Sequence, residues 1–292
     1  MPQEINQCPL CLSDKNSLFD QRQFREHQVV NCICENCGLV FQSPRMTADE
    51  LDAFYAREYR QVYQGEEGPT KKDLFVQNGR ADALMEILAQ QQVTPTRYLD
   101  IGCSSGILLQ RFRDHFGCEA IGIEPGDAYR NHAQKQGLTV YADISDLEDT
   151  EKPDFDLISM AHVLEHLPDP VGYLADMRKD YLTPSGWLLI EVPNLFSHDS
   201  FEIAHMTSFS AHSLGQVLDK AGFQIVVLKQ HGHPRSRILP LYLTVLAKPR
   251  EHGQVRFQVK PERNVALKRR FGLLWRRILQ KLFPHKAWVP IK

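Results

Sequence analysis

The chain has 292 residues, 42% of them hydrophobic and 24% charged, with a net charge of −2. These proportions fit a globular protein with a substantial core, arranged as one large domain or two smaller ones. No apolar run approaches the roughly 18 residues that cross a bilayer as a helix, and the opening MPQEINQCPLC has neither the basic nor the apolar region of a secretory signal, so a cytoplasmic setting is expected. Charge is unevenly shared. Residues 248–292 hold 13 Lys or Arg against 2 Asp or Glu, a local +11, while the remainder holds 21 against 34, a local −13. A basic end of this kind points to an anionic partner.

Residues 1–43 carry five of the seven cysteines. Cys8-Pro-Leu-Cys11 and Cys34-Glu-Asn-Cys37 are two C-x-x-C knuckles with 22 residues between them. Each knuckle presents two thiolates on one side of a tight turn, and two knuckles complete a tetrahedral set. The pattern predicts a structural zinc that holds residues 1–45 together as a ribbon and performs no chemistry. A redox dithiol pair lacks a strand–helix context here, and disulfides conflict with a cytosolic setting. Cys32 could replace Cys34 only with poorer spacing.

Residues 29–42 should form the ribbon's hairpin, with Gly38 at its turn and Ser43-Pro44-Arg45 ending it. Thr47 and Glu50 read as a capping box for a helix carrying Leu51, Phe54, Tyr55 and Tyr59. A polar linker, QGEEGPT at 64–70, follows. Leu74, Ala81, Leu84, Met85 and Leu88 recur at helical spacing between Asp73 and Gln92, so residues 46–95 are a helical lead-in.

Strands and helices then alternate. Strands are predicted at 97–101, 119–123, 138–141, 155–160, 186–192, 223–229 and 240–247, and helices at 105–116, 127–136, 169–181 and 211–221. This alternation over residues 96–248 predicts an α/β fold, a seven-stranded mostly parallel sheet with helices on both faces. The loop from His231 to Ile238 has no room for a crossover helix, so the last strand should run antiparallel to its neighbour.

Arg97 to Gly106, RYLDIGCSSG, is the stretch that speaks most directly of a ligand. A buried strand ends near Asp100. A loop of small residues follows (Gly102, Cys103, Ser104, Ser105, Gly106), and a helix then opens with Ile107, Leu108, Leu109 and Phe112 on its apolar side. Glycines let the backbone approach a ligand, and the helix N-terminus offers unpaired N–H groups, which suits a nucleotide. The spacing is not G-x-G-x-x-G, because Ser104 stands where a central glycine would fall. The next strand, EAIGIE, ends in Glu124, 24 residues beyond Asp100. That is close to the offset of roughly 20 at which a carboxylate meets a ribose diol; the other reading of Glu124 is a solvated strand end.

These segments, with Asp143 after strand three, FDLISMAHVLEHLPDP around strand four and LTPSGWLLIEVPN around strand five, resemble the class I S-adenosylmethionine-dependent methyltransferases. CPLC…CENCGLVFQSPR resembles the zinc-ribbon head of a subset of them, which includes C-methyltransferases of nucleotide-linked deoxysugars. The resemblance spans roughly residues 8–247 and implies a Rossmann-like domain that binds S-adenosyl-L-methionine. On it, Gly102 and Gly106, with Cys103 and Ser104 between them, approach the methionine moiety. Asp100 holds the loop or the amino group, and Glu124 takes the ribose hydroxyls. Asp143 reads the adenine amino group, and Ala161 and His162 border the methyl donor. Ser104 departs from the commoner glycine.

His162-Val-Leu-Glu165-His166 formally matches the H-x-x-E-H pattern of zinc peptidases. That pattern needs a helix, and Pro168 and Pro170 end any helix within a turn. On the resemblance this segment lies at the sheet's carboxyl edge, where Glu165 or His166 contacts substrate or a metal, or else fixes the loop by hydrogen bonds. Beyond strand five, FEIAHMTSFS is similar to a segment that carries a tyrosine, a glutamate and a histidine in the sugar C-methyltransferases. His205, Phe209 and Ser210 match, while Glu202 and Ala204 stand at the tyrosine and glutamate positions. His205 is the candidate general base, with His166 in reserve and Glu165 beside it; its other reading is a histidine that orders the loop. The expected activity is methylation of an oxygen or carbon on a small-molecule, sugar or glycan-precursor acceptor. A non-catalytic protein that binds S-adenosyl-L-methionine and a nucleic-acid-binding protein are the alternatives.

In the basic tail, residues 249–292, the stretch 268–283 gathers Phe271, Leu274, Trp275, Ile278, Leu279 and Leu282 on one side of a helical wheel. Arg269, Arg270, Arg276, Arg277 and Lys281 gather on the other. Such a helix suits peripheral contact with an anionic membrane surface, or docking on the protein's own body or a partner subunit. Nucleic acid is the weakest occupant, because no binding module accompanies the charge.

Overall fold

The computed structural model describes residues 3–47, 50–51, 54, 68–147, 154–250 and 257–290. At the N-terminal end β1 (Asn16–Phe24) and β2 (His27–Cys34) form an antiparallel hairpin, and β3 (Val40–Gln42) adds to the far side of β2. The hairpin expected over 29–42 is the β2–β3 pair. Gly38 turns it at a φ of +84°, donating its N–H to the Cys34 carbonyl at 2.8 Å. β1 had no sequence signal: NSLFDQRQF is polar at most positions, as suits an edge strand with little to bury.

The ribbon sheet has a fourth strand, β9 (Thr207–Ser208), supplied by the other end of the chain and paired antiparallel with β3. Leu10, Leu39 and Phe41 are fully buried in the same hydrophobic cluster as Leu214, Val217 and Phe223. The Lys220 ammonium donates to the Leu10 carbonyl at 2.5 Å. Ribbon and main sheet therefore share one core.

The Thr47–Glu50 capping box is present in both directions: the Thr47 N–H donates to Glu50 at 3.0 Å, and the Glu50 N–H to the Thr47 hydroxyl at 3.3 Å. Leu51 and Phe54 are buried; Tyr55, Tyr59 and the first part of the expected linker lie outside the described residues. Helix α1 (Lys71–Gln90) starts two residues before the expected position because a second capping box, Thr70 with Asp73, opens it.

The main sheet has seven strands in the order β10-β11-β8-β7-β4-β5-β6. They are β4 (Arg97–Ile101), β5 (Glu119–Ile123), β6 (Thr139–Tyr141), β7 (Phe155–Ala161), β8 (Leu182–Pro193), β10 (Phe223–His231) and β11 (Tyr242–Pro249). Helices α2 (Ile107–Phe116), α3 (Asp127–Lys135), α4 (Pro170–Asp176) and α5 (Ala211–Lys220) connect them, giving the Rossmann-like α/β fold that was expected. β11 alone is reversed, antiparallel to both β8 and β10. The reversal sets Tyr242 opposite both Pro193 and His231, so β11 begins at the edge where the parallel strands end.

Helix α6 (Val265–Leu282) follows, and among the described residues no helix is long and apolar enough to cross a membrane. α6 docks on the body through the stripe Arg269–Gly272–Arg276, not through its apolar side. Arg269 is buried and donates to the carbonyls of Leu195 and His198 and to Asp199, and Arg276 donates to the Ser197 carbonyl at 3.1 Å. Phe271, Trp275 and Leu282 are left 62%, 57% and 65% exposed.

Gly272 makes this docking possible, because a Cβ there would lie 1.9 Å from the Phe196 carbonyl oxygen. Alanine normally favours a helix over glycine by about 1 kcal/mol. Here Gly272→Ala should instead destabilise, by roughly 1–3 kcal/mol of overpacking, and lower the melting temperature by several degrees in a thermal scan. An unchanged or raised melting temperature would show that α6 does not lie on the body in this way.

Candidate active site at the carboxyl edge

Two groups of residues meet where β4, β5, β7 and β8 end. The first is a backbone cradle. Gly102 (φ +71°), Ser104 (φ +53°) and Gly106 (φ +81°) all adopt left-handed backbone conformations, so the loop turns sharply into α2. Gly106 stands at the N-cap of α2 and brings no side chain to its first turn, which suits this helix N-terminus to an anionic or dipolar ligand. Ser104 tolerates its conformation with help from α1: Gln77 donates to its hydroxyl at 3.2 Å and accepts from Ser105.

Glu124 is buried and accepts the N–H groups of Ser104 and Gly126, each at 2.9 Å. It ties the β4 loop to the β5 loop, so it is a placed carboxylate and not a solvated strand end. Cys103 turns its thiol into the core, against the Cα of Gly122, where a Cβ would come within 2.6 Å of the sulfur; it shapes the loop from behind. Asp143 is exposed and accepts from the N–H and hydroxyl of Ser145, at 2.9 and 2.7 Å. Asp100 lies under the loop, where the Ser159 hydroxyl donates to it at 2.5 Å and sits 2.7 Å from the Tyr98 hydroxyl.

The second group is a set of histidines and carboxylates. The H-x-x-E-H segment ends in a single 3-10 turn, Leu164–His166, and not in an α-helix, which removes the peptidase geometry. His162, at a φ of +60°, donates its backbone N–H to the Glu191 carbonyl at 2.8 Å. Its ring lies between two carboxylates, with Nδ1 3.2 Å from Glu165 and Nε2 3.3 Å from Glu191. Burial and Arg80 push this imidazole toward neutrality, but Glu165 and Glu191 outweigh them and its pKa is raised. Burial would raise the Glu165 carboxyl, yet His162 brings it down to about 2. Burial lowers His166 to about 3.

His166 and His205 meet edge to face, with ring centroids 4.7 Å apart. Each donates Nδ1–H to a backbone carbonyl, His166 to Ala204 at 3.0 Å and His205 to Ser200 at 2.7 Å. In the neutral ring this places the lone pair on Nε2 in both cases.

Sequence reasoning missed the residues that pack around this group. Glu191 is fully buried. Arg80 donates to it at 2.6 Å, Thr244 donates to it at 3.2 Å, and His231 lies 3.3 Å away. The Tyr242 ring touches His162, His198 and His231 at centroid distances of 5.2, 5.8 and 5.9 Å. Burial lowers His198 to about 3. One signal was available, a glutamate inside the apolar run LLIEVP of a central strand, which requires a buried partner.

A family profile described as "Methyltransferase domain" matches residues 73–228, more than half of the chain. Curated relatives include the ubiquinone biosynthesis O-methyltransferases of Actinobacillus pleuropneumoniae (34% identical over 111 residues, 34% of this chain and 46% of that one) and Hahella chejuensis (34% over 86 residues, 27% and 36%). The chain thus spans less than half the length of these relatives. Among solved structures, the Burkholderia thailandensis 1,6-didemethyltoxoflavin-N1-methyltransferase, with bound 1,6-didemethyltoxoflavin and S-adenosylhomocysteine, superposes with a TM-score of 0.57. It is 19% identical, over 80% of this chain and 100% of that one. The plantazolicin methyltransferase BpumL in complex with SAH gives 0.50 at 13% identity, over 69% and 94%.

Asp100 yields a test of the cradle. Burial raises its pKa to about 7 against the pull of Ser159 and Tyr98. Between pH 4 and 7 the folded state holds a proton that the unfolded state has lost, so the stability this group contributes is full below about pH 4 and disappears as pH rises through 7. Urea unfolding of the ligand-free protein from pH 5 to 8 should show the wild type losing stability relative to Asp100→Asn, by at most about 1.4 kcal/mol per pH unit. Parallel curves would mean that Asp100 is already ionised in the folded protein.

Proposed function

The chain belongs to the methyltransferase-domain family, and from that membership we propose that it transfers the methyl group of S-adenosyl-L-methionine to a hydroxyl of a small-molecule acceptor. The observation that carries the reading is the convergence on one sheet edge of a glycine-turned cradle, a buried Glu124 and a cluster of histidines. When bound, S-adenosyl-L-methionine supplies an electrophilic methyl group on a sulfonium, so most of the protein's work is positioning.

The described residues fit that cofactor. The cradle from Gly102 to Gly106 and the start of α2 suit the methionine end. Glu124, braced by two N–H groups, suits the ribose diol, and Asp100 beneath the loop suits a cationic amino group. Asp143 is assigned to the adenine amino group, and Ala161 and His162 to the border of the methyl donor. His205 takes the acceptor's proton at Nε2, with His166 and Glu165 beside it.

The O-methyltransferase names of the curated relatives support oxygen over carbon as the atom methylated. So does the departure at Glu202 and Ala204 from the sugar C-methyltransferase pattern: Ala204 offers only its carbonyl, to His166. A sugar or glycan-precursor hydroxyl is the acceptor class that the ribbon head favours.

We assign a structural zinc to Cys8, Cys11, Cys34 and Cys37. Their sulfurs lie within 4.8 Å of one another, with Cys8–Cys37 and Cys11–Cys34 at 3.5 Å. Four Zn–S bonds of about 2.3 Å ask for edges near 3.8 Å. The Asn36 amide donates to the Cys11 sulfur at 3.5 Å, a contact of the kind that steadies a ligand.

Calorimetric titration with S-adenosyl-L-methionine tests the central claim. The wild type should bind, and Glu124→Ala should bind at least about tenfold more weakly, the scale of hydrogen bonds to a charged group. Failure of the wild type to bind would remove the reading.

The exposed face of α6 carries a separate claim, peripheral contact with an anionic membrane surface through residues 268–283. Phe271, Leu274 and Trp275 stand clear of the body, flanked by exposed Arg270, Arg277 and Lys281. The protein should co-sediment with phosphatidylglycerol vesicles but not with phosphatidylcholine vesicles. Trp275→Glu should abolish the binding without changing cofactor affinity. Equal binding to both vesicles, or to neither, overturns the claim.

A further inference from the structure

The acceptor end of the site has a feature that methyl transfer from a sulfonium does not require. Glu165 is 1% exposed, yet neither of its carboxylate oxygens has a hydrogen-bond partner among the described residues. His162 Nδ1 comes within 3.2 Å of Oε1, out of line for a hydrogen bond. The His162 ring that approaches it is shared with Glu191, 3.3 Å from the other nitrogen, and a buried carboxylate costs several kcal/mol unless cationic partners compensate it.

Two histidines point at the same place. Glu165, His166 and His205 offer one carboxylate oxygen and two ring nitrogens, all within 4.8 Å of one another. Bonds of about 2.1 Å ask for donor atoms roughly 3–3.5 Å apart, so binding would draw the three groups closer together. Both histidines are set in the tautomer that a metal ligand needs, because Nδ1–H donates to a carbonyl, Ala204 for one and Ser200 for the other. Backbone anchoring of the distal nitrogen fixes the tautomer and puts the lone pair on Nε2, which in His205 lies 3.9 Å from the Glu202 carboxylate. Two imidazoles and one carboxylate, with further positions open, is a set that suits zinc, iron or cobalt better than magnesium or calcium.

We propose that Glu165, His166 and His205 form a second metal site, distinct from the cysteine cluster, that binds a divalent transition-metal cation with open coordination positions facing the acceptor. The metal-binding claim stands on these three residues alone, and only its use rests on the methyl-transfer reading. A cation here would hold an acceptor hydroxyl and lower its pKa. Because the cation would occupy His205 Nε2, the same atom cannot then serve as the base. The two roles are exclusive, which makes them separable.

The experiment uses the full chain with its ribbon metal in place. After a mild chelator wash, the protein is titrated with Co²⁺ alone, by calorimetry and by visible absorption. One equivalent should bind, with weak d–d bands and no thiolate charge-transfer band. Glu165→Gln and His205→Gln should each weaken binding by about 10- to 100-fold, and S-adenosyl-L-methionine affinity, measured in parallel, should stay within about twofold. Retained cofactor affinity also shows that the variants have folded.

If the wild type binds cofactor but no Co²⁺, the metal site is wrong and the methyl-transfer reading survives. If Co²⁺ binds equally to both variants, or shows a thiolate charge-transfer band, it sits elsewhere and the proposal is likewise overturned. If Co²⁺ binds as expected but S-adenosyl-L-methionine does not, the metal site stands and the methyl-transfer reading fails.

Discussion

The fully buried carboxylate of Glu191 is the constraint on which the arrangement of the edge depends. Burial alone would push its pKa up, but the charge of Arg80 comes first against that, followed by His162 and His231, and the group is held well below the ordinary range. Each partner comes from a different element: Arg80 from α1, His162 from the end of β7, His231 from β10 and Thr244 from β11. A carboxylate in this position is tolerable only while its partners stay, since removing one partner of a buried pair typically costs about 3–5 kcal/mol. Glu191 therefore fixes the relative positions of four elements that no local sequence pattern connects. The reversed β11 belongs to the same requirement, because only an antiparallel strand brings Tyr242 and Thr244 to the end where β8 terminates.

The ribbon extends this organisation to His205. β9 begins two residues after His205 and pairs with β3, with Phe41 opposite Thr207. Just before it, the Gln42 N–H donates to the Met206 carbonyl at 2.8 Å, and the Gln42 amide donates to the Glu202 carbonyl at 3.3 Å. β3 is in effect a template for the whole segment from Glu202 to Ser208. Whatever holds Cys34 and Cys37 in place holds β3 at one remove, so a four-thiolate metal site would act on the chemistry without touching a reactant. A closed site of that kind can do nothing else.

What could be read from the sequence divides along a physical line. The strand–loop–helix at Arg97 to Phe116, the cysteine knuckles and the reversal of the last strand all follow from residues close together in the chain, where spacing and turn length decide the outcome. Glu191 carried a signal, its place in the apolar run LLIEVP, but Arg80, His198, His231 and Tyr242 were not assigned roles, because each is unremarkable in its own segment and acquires its part only when five separate segments meet. The tail shows a third case. The wheel over 268–283 separated apolar from basic residues, Leu273 excepted, and pointed to a membrane surface or to docking without deciding which side would meet the body. The structure turns Arg269 and Arg276 inward, because unpaired backbone carbonyls from Leu195 to His198 offer what guanidinium groups need. Gly272, midway between the two arginines, was the available signal of close backbone approach.

The two halves of the site are also joined to each other. Gly102 has no Cβ, and one placed there would come within 2.5 Å of a Val163 methyl group. Val163 follows His162, whose φ of +60° is uncommon for a residue other than glycine and costs roughly 1–3 kcal/mol where it is held. The cradle loop and the histidine turn are thus interlocked by shape, one lacking a side chain where the other inserts one. His162 in turn approaches Glu165 at 3.2 Å, so the 102–106 loop, the histidine turn and the carboxylate beside His166 and His205 form one continuous packed unit.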